Sequence, residues 1–178
     1  MGKDVAIEWM PFELRPYPTP TLRPEGSYLQ NAWRQSVYPV AQRMGVDIKL
    51  PTVSPQPYSR LAFEALEFAK DHDRGDQYND RVMRAFFQES QDIGDPKVLT
   101  QLATGIGLAA DEFERALESH QYASRVEKLL HHSHQEMEIT GVPLFVIGNR
   151  TLMGLQSRDA LAEAIEEAEA GIYFQNRP

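Results

Sequence analysis

The stretch at residues 141–149 constrains the fold of this chain more than any other. It runs Gly-Val-Pro-Leu-Phe-Val-Ile-Gly-Asn, so a short apolar run lies between turn-forming residues. These flanks favour a strand over a helix, and the unbroken apolar run predicts that strand Leu144–Ile147 is buried on both faces. Gly148 and Asn149 both tolerate positive φ, which is typical of a tight hairpin. We therefore predict a β-hairpin, followed by a helix over residues 157–170 that Ser157 caps.

Pro143 stands at the entrance of the predicted strand, preceded by Val142. A proline is accepted there because the hydrogen-bonded ladder has not yet begun. A cis bond at this position would be uncommon, since only about 5–6% of X-Pro bonds in folded proteins are cis. The Val142–Pro143 pair is therefore a candidate functional feature.

Cysteine is absent from all 178 residues, and the formal net charge is −8. The lack of Cys excludes disulfides, cysteine–zinc sites, iron–sulfur clusters and a cysteine nucleophile within this chain. The acidic charge disfavours binding to nucleic acid or to anionic membranes. No apolar run approaches the roughly 20 residues that cross a bilayer, and none resembles a secretory signal. We therefore expect a cytoplasmic protein that binds neither nucleic acid nor membrane.

The remaining chain divides by pattern into a short strand, a rigid loop and a long helical block. Residues 5–10 alternate partly between apolar and polar and predict a half-buried strand, after which prolines recur as far as Pro24. Helical periodicity starts at Ser27, a predicted cap, is interrupted at Pro39, and ends its first segment at Gly45. Asp95-Pro96 predicts a later helix start. We assign residues 27–138 to a helical insertion between residues 1–26 and 139–178.

Several motifs in this order resemble one family. They are the Gly-Val-Pro strand with its hairpin, the Gly-x-Gln turn at residues 154–156, the Trp-x-Pro-Phe-x-Leu-x-Pro stretch at residues 9–16, and Ala-Phe-Phe at residues 85–87. Together they resemble the DsbA-type thiol-disulfide oxidoreductases, in their FrnE-like branch. The resemblance implies an α/β, thioredoxin-like (DsbA-type) fold with a large helical insertion, whose parts outside the insertion are residues 1–26 and 139–178.

The resemblance also implies a substrate groove. In the family, the residue matching Pro143 is a cis-proline that faces the active-site dithiol. The backbone of Val142 would pair with an extended peptide or with a glutathione-like thiol, and Phe12 and Leu14 would help to line the groove. No cofactor is implied.

The sequence departs from the family at its start. There, a strand and a helix opening with Cys-x-x-Cys precede the stretch that matches Val5, and this N-terminal strand-helix unit is missing here. Its strand lies centrally in the parent fold, so residues 5–10 would lack a neighbour. Three arrangements would supply this neighbour. Residues 5–10 could pair directly with Leu144–Ile147, a symmetric partner could fill the gap, or the protein could be longer than this chain. We expect a homodimer.

Three functions stay open on these residues. The first is a DsbA-type oxidoreductase that is inactive or truncated as given, and the second is a glutathione-dependent enzyme of the kappa transferase or hydroxychromene-carboxylate isomerase type. The third is a non-catalytic binding module. His131, His132, His134 and Glu136 form the one metal-like cluster, but no further ligand is indicated, so we interpret them as surface residues and predict no metal site.

Overall fold

The structure is a computed structural model that describes residues 5–171, except for the side chain of Glu136. The chain divides into two compact units, Met1–Leu130 and His131–Pro178, and each is described by itself. Residues 1–26 and 139–178, which the sequence groups as one thioredoxin-like part, fall in different units, so that grouping stays a prediction.

Helices make up most of the described chain before the hairpin. None of the helices within residues 5–171 has both the length and the apolar character that crossing a bilayer requires. They are α1 Ser27–Ala32, a π-helical turn Trp33–Val37, α2 Tyr38–Met44, α3 Arg60–Asp71, α4 Gly75–Phe87, α5 Pro96–Gly105, α6 Ala110–Glu118, α7 Ala123–His131 and a second π-helical turn His132–Glu136.

The first helical stretch shows how Pro39 acts. Pro39 lies in the first turn of α2 and has no N–H to donate, and the π-helical turn directly precedes α2. In that turn the N–H of Tyr38 donates to the carbonyl of Trp33, five residues back. Gly45 ends α2 with φ +67°, so the predicted interruption and the predicted end are both confirmed. The predicted cap is wrong, because Gly26 occupies the N-cap position and no side chain bonds there.

Helices α3 to α6 share one hydrophobic core. Each presents an amphipathic face, and Phe68 of α3 meets Phe113 of α6 edge to face, with ring centroids 5.2 Å apart. Tyr78 of α4 and Leu99 of α5 are fully buried beside them. The predicted start of α5 is confirmed, since the Asp95 side chain accepts a hydrogen bond from the Lys97 N–H.

The second unit contains an antiparallel hairpin and one long helix. Strand β1, Leu144–Ile147, pairs with β2, Arg150–Met153, so two residues form the turn. Gly148 has φ +59°, whereas Asn149 is not among the residues with positive φ, which fits a type II′ turn. Helix α8, Arg158–Glu169, follows with Ser157 accepting from the Ala160 N–H, so the predicted hairpin and cap are confirmed.

The predicted burial of β1 on both faces is wrong. Val146 is 55% exposed, and on the facing strand Met153 is 57% exposed. The register sets Leu144 opposite Met153, so both share one face of the hairpin with Val146. Helix α8 contacts β1, and one helix covers only one face of a two-stranded sheet.

The predicted strand at residues 5–10 is also wrong. Among the described residues the sheet contains only β1 and β2, so residues 5–10 do not form a strand there. A strand requires a hydrogen-bonded neighbouring strand. The alternation of apolar and polar residues here gives one segment the pattern of a strand but does not provide that neighbour. Val5, Ile7, Trp9 and Met10 are consequently exposed, at 39–61% of their surface.

The hydroxyl of Tyr78 generates a stability prediction. Tyr78 is 1% exposed, burial raises the pKa of its hydroxyl, and that oxygen has no hydrogen-bond partner among the described residues. Because an unsatisfied buried hydroxyl is costly, Tyr78→Phe should leave the free energy of unfolding unchanged or raise it by up to about 1 kcal/mol.

The matched control is Tyr122→Phe, which deletes a 2.9 Å hydrogen bond to Asp71. It should lower the free energy of unfolding by about 1 kcal/mol in urea titrations. Equal losses in the two variants would contradict this interpretation of Tyr78.

Candidate functional site

The candidate site is the loop that enters β1. The Val142–Pro143 peptide bond is cis, and the Pro143 carbonyl accepts a 2.8 Å hydrogen bond from the Gly154 N–H. Since Gly154 directly follows β2, this bond extends the hairpin ladder one step beyond the strands. The loop is thereby held on the hairpin by backbone bonding.

Val142 offers an unused backbone edge next to this fixed proline. This residue is 47% exposed, and no hydrogen bond between described residues uses its N–H or its carbonyl. A free N–H and carbonyl beside a sheet can pair with an incoming extended chain, as in β-strand addition. The geometry therefore suits a ligand that binds through backbone hydrogen bonds, and the surrounding side chains decide which ligands are favoured.

The surroundings of this edge within its unit are apolar and acidic. Val146, Met153 and Leu155 expose apolar side chains on the hairpin and just after it. Arg150 is engaged by Glu167, with 2.6 Å between their charged atoms. Helix α8 contains one basic residue, Arg158, and adds five carboxylates: Asp159, Glu163, Glu166, Glu167 and Glu169. The chemistry favours an apolar or cationic ligand over an anionic one.

The other two predicted groove residues lie in the first unit. Leu14 is 70% exposed, and Phe12 is partly buried. Because they and Val142 belong to separate units, the groove that would join them stays a prediction. Met153 and Leu155 were not predicted as part of the site. The sequence indicates them only weakly: they are apolar, although the second strand of a solvent-exposed hairpin and the residues after it would be expected to be polar.

The described residues show no group of three or more side chains arranged to hold a metal ion. The cluster considered in the sequence includes Glu136, whose side chain lies outside the described residues. A groove of about 590 Å³ runs along α5 and includes Thr100 and Thr104. Both hydroxyls already donate to carbonyls of their own helix, so they do not mark a ligand site.

Two acidic residues on α3, Glu67 and Asp71, have a structural role. Glu67 is buried and bonds Lys70 at 2.6 Å, while Asp71 accepts from Arg125 at 2.7 Å and from Tyr122. The hydrogen bond from Arg125 lowers the pKa of Asp71. Burial, followed by the bond to Asp71, raises the pKa of Tyr122 to about 12. The bonds of Asp71 to Arg125 and Tyr122 connect α3 to α7 and to the segment before α7.

Comparison with known proteins shows which family this chain belongs to. The family model of the DSBA-like thioredoxin domain matches residues 2–166. The chain belongs to this family.

Individual relatives agree with that assignment. The chain is 46% identical over 169 residues to the uncharacterized protein YwbO of Bacillus subtilis (strain 168), covering 94% of this chain and 84% of the relative. A probable DsbA oxidoreductase of Streptomyces coelicolor has a similar structure, with TM-score 0.68 and 22% identity over 86% of this chain. A 2-hydroxychromene-2-carboxylate isomerase follows, with TM-score 0.66 and 17% identity over 83% of this chain and 72% of the other.

These structural likenesses concern the fold alone, given their low identities. The chain spans 65% of the length of the Streptomyces protein. The activity, substrates and partners of the whole protein are therefore matters for proposal.

The pKa of Asp71 predicts a pH-dependent contribution to stability. The pKa of Asp71 is lower in the folded state than in the unfolded state, where it is about 4, so the ionised carboxylate stabilises the fold at a pH above about 4. This contribution is lost as the pH falls through the folded-state pKa. The Asp71 side chain is 42% exposed, so solvent screening reduces the effect. Asp71→Asn should therefore lower the free energy of unfolding by at most about 1 kcal/mol at neutral pH and by less below about pH 4.

Urea unfolding at neutral and at acidic pH measures this difference. Asp80→Asn is the control, because Asp80 forms an ion pair with Arg84 in which both side chains are about 60% exposed. It should change stability little at either pH. A loss in Asp71→Asn that is the same at both pH values would contradict the prediction.

The turn of the hairpin gives a second prediction. A Cβ at Gly148 would lie 3.0 Å from the Cβ of Ala168, and its φ of +59° disfavours a side chain. Gly148→Ala should therefore destabilise the hairpin by about 1–2 kcal/mol. Hydrogen exchange of the β1 and β2 amides measures the loss. Gly141→Ala is the control, since nothing lies within 4 Å of its added Cβ, and equal effects at the two glycines would contradict the assignment.

Proposed function

We propose that this chain is the substrate-binding part of a DsbA-type thiol-disulfide system and binds an extended polypeptide at Val142 and Pro143. The observation that carries the proposal is the backbone of the exposed residue Val142, which is unpaired among the described residues, beside a proline that the Gly154 bond fixes in place. Membership of the DSBA-like thioredoxin-domain family supports it.

The same proposal assigns no thiol chemistry to these residues. Disulfide exchange requires attack by a thiolate, and the chain has no Cys to supply one. Binding through a backbone edge needs no thiol, so recognition is separable from the redox step. A cytoplasmic location and the lack of nucleic-acid or membrane binding, both expected from the sequence, stay part of the proposal.

A glutathione-dependent isomerase or transferase is the second candidate. The similarity to the 2-hydroxychromene-2-carboxylate isomerase fold favours it. Glutathione carries two carboxylates, however, and the hairpin unit presents exposed apolar side chains and the acidic α8. An anionic tripeptide is disfavoured in such surroundings, so the extended apolar peptide is the better ligand.

The test is binding of a short, fluorescein-labelled apolar peptide, followed by fluorescence anisotropy. Val142→Asp should weaken binding roughly tenfold or more, because it sets a charge against an apolar ligand. Tyr28→Asp is the matched control, since Tyr28 is an exposed apolar residue of α1, and it should bind like the parent. Equal affinities in Val142→Asp and the parent would overturn the proposed site.

Glutathione distinguishes the two candidates in a thermal unfolding experiment. A ligand that binds only the native state raises the midpoint of unfolding. We expect the apolar peptide to raise it and glutathione to leave it unchanged. A rise with glutathione alone would favour the isomerase or transferase class and refute peptide binding.

A further inference from the structure

Glu138, on the connection that leads to Val142, adopts a backbone conformation that its residue type disfavours. Its φ is +49°, in the left-handed region, where glycine or asparagine is the usual residue after a helical segment. A Cβ in this region crowds the following carbonyl oxygen. A glutamate is therefore held at this position against its backbone preference.

The charge of Glu138 is also disfavoured at this position. The residue follows the second π-helical turn, His132–Glu136, and the carboxyl end of a helical segment carries partial negative charge that repels a carboxylate. Glu138 is exposed, and its side chain has no hydrogen bond or ion pair with the described residues. No contact among them offsets either cost, and residues that break local rules in this way are often functional ones.

Backbone hydrogen bonds hold both ends of the connection between Glu138 and Val142. The N–H of Ile139 donates to the carbonyl of Ser133 at 3.1 Å, and the other end is held by the bond to the Pro143 carbonyl described above. Because Val142 is four residues further along the chain, the Cα atoms of Glu138 and Val142 are at most about 14 Å apart. An extended peptide advances about 3.3 Å per residue, so its residues up to four positions from the one paired with Val142 lie within the same distance.

We propose that Glu138 determines which extended peptides the Val142 site prefers, by pairing with a lysine or arginine of the bound peptide. The inference rests on the function proposed above and adds the class of ligand, an apolar stretch with a basic residue within about four positions of the residue that pairs with Val142. The basic side chain supplies the cation that the described residues do not give to Glu138. A peptide with a carboxylate at that place meets repulsion, so the preference has an attractive and a repulsive part.

Carboxylates of α8 lack this combination of strain and isolation. Glu167 is engaged by Arg150, with 2.6 Å between their charged atoms. Glu163 is exposed and has no hydrogen bond or ion pair with the described residues, but it occupies an ordinary position within the helix. Glu163 is therefore the matched control, because it has the same charge and lies exposed in the same unit as Glu138.

Fluorescence anisotropy with two labelled peptides tests the proposal. The peptides share one apolar stretch, which is flanked by lysine in one and by glutamine in the other. The parent should bind the lysine peptide about threefold more tightly at low ionic strength, as expected for an exposed ion pair, and the difference should shrink at high salt. Glu138→Gln should bind the two peptides alike, Glu138→Lys should prefer the glutamine peptide, and Glu163→Gln should behave as the parent.

The outcomes separate this inference from the proposed function. Equal affinities of the parent for the two peptides would overturn the role of Glu138, and so would the same loss of preference in Glu163→Gln as in Glu138→Gln. In both cases the proposed function stands if Val142→Asp still weakens binding. A parent that binds neither peptide would overturn both.

Urea unfolding tests the backbone strain at Glu138 separately from binding. Glu138→Gly should raise the urea midpoint, because glycine adopts this φ without strain, and it should also abolish the preference for the lysine peptide. Glu138→Ala should raise the midpoint less, because it keeps the Cβ. A midpoint that falls in Glu138→Gly would mean that Glu138 is not held against its backbone preference, and the argument for its selection as a specificity residue would fail.

Discussion

Backbone hydrogen-bond pairing is the constraint on which the rest of this structure depends. In the hairpin it is satisfied through the β1–β2 register and extended by the bond from Gly154 to Pro143, so the entering loop has a fixed position. At Val142 the described residues leave it unsatisfied, and this residue is exposed. Free N–H and carbonyl groups require partners or water, so this edge is open to water or to another chain.

Features set by neighbouring residues were predictable from the sequence. Asp95 caps α5, Ser157 caps α8, and Gly45 adopts the left-handed conformation that ends α2. Each depends on the geometry of one helix turn, which a few residues specify completely. The hairpin turn at Gly148 belongs to the same class, since one residue with positive φ decides its type.

Features set by distant partners were not predictable in the same way. Residues 5–10 carry a strand-like pattern, but a pattern cannot supply the neighbouring strand, and the structure shows none within the described residues. The burial of β1 fails for a related reason, because Val146 would need a cover on the face opposite α8. Glu64 is a third case, since no residue near it in the sequence indicates that a carboxylate of α3 is buried. It is buried with His120 Nδ1 3.2 Å from its carboxylate, a contact across 56 residues.

The candidate site combines the two kinds of feature, and the binding proposed for it does not depend on redox chemistry. A thiolate is one irreplaceable side chain, and without Cys the exchange step has no nucleophile. In the proposed mode, recognition at Val142 uses main-chain atoms, which apolar substitutions at this position leave in place, and it needs only Pro143 and the hairpin to hold them. Exposed Met153 and Leu155 add apolar surface that tolerates many partner sequences. In the proposed mode of binding, a chain of this kind would bind extended polypeptides for as long as its hairpin folds, whether or not a dithiol acts beside it.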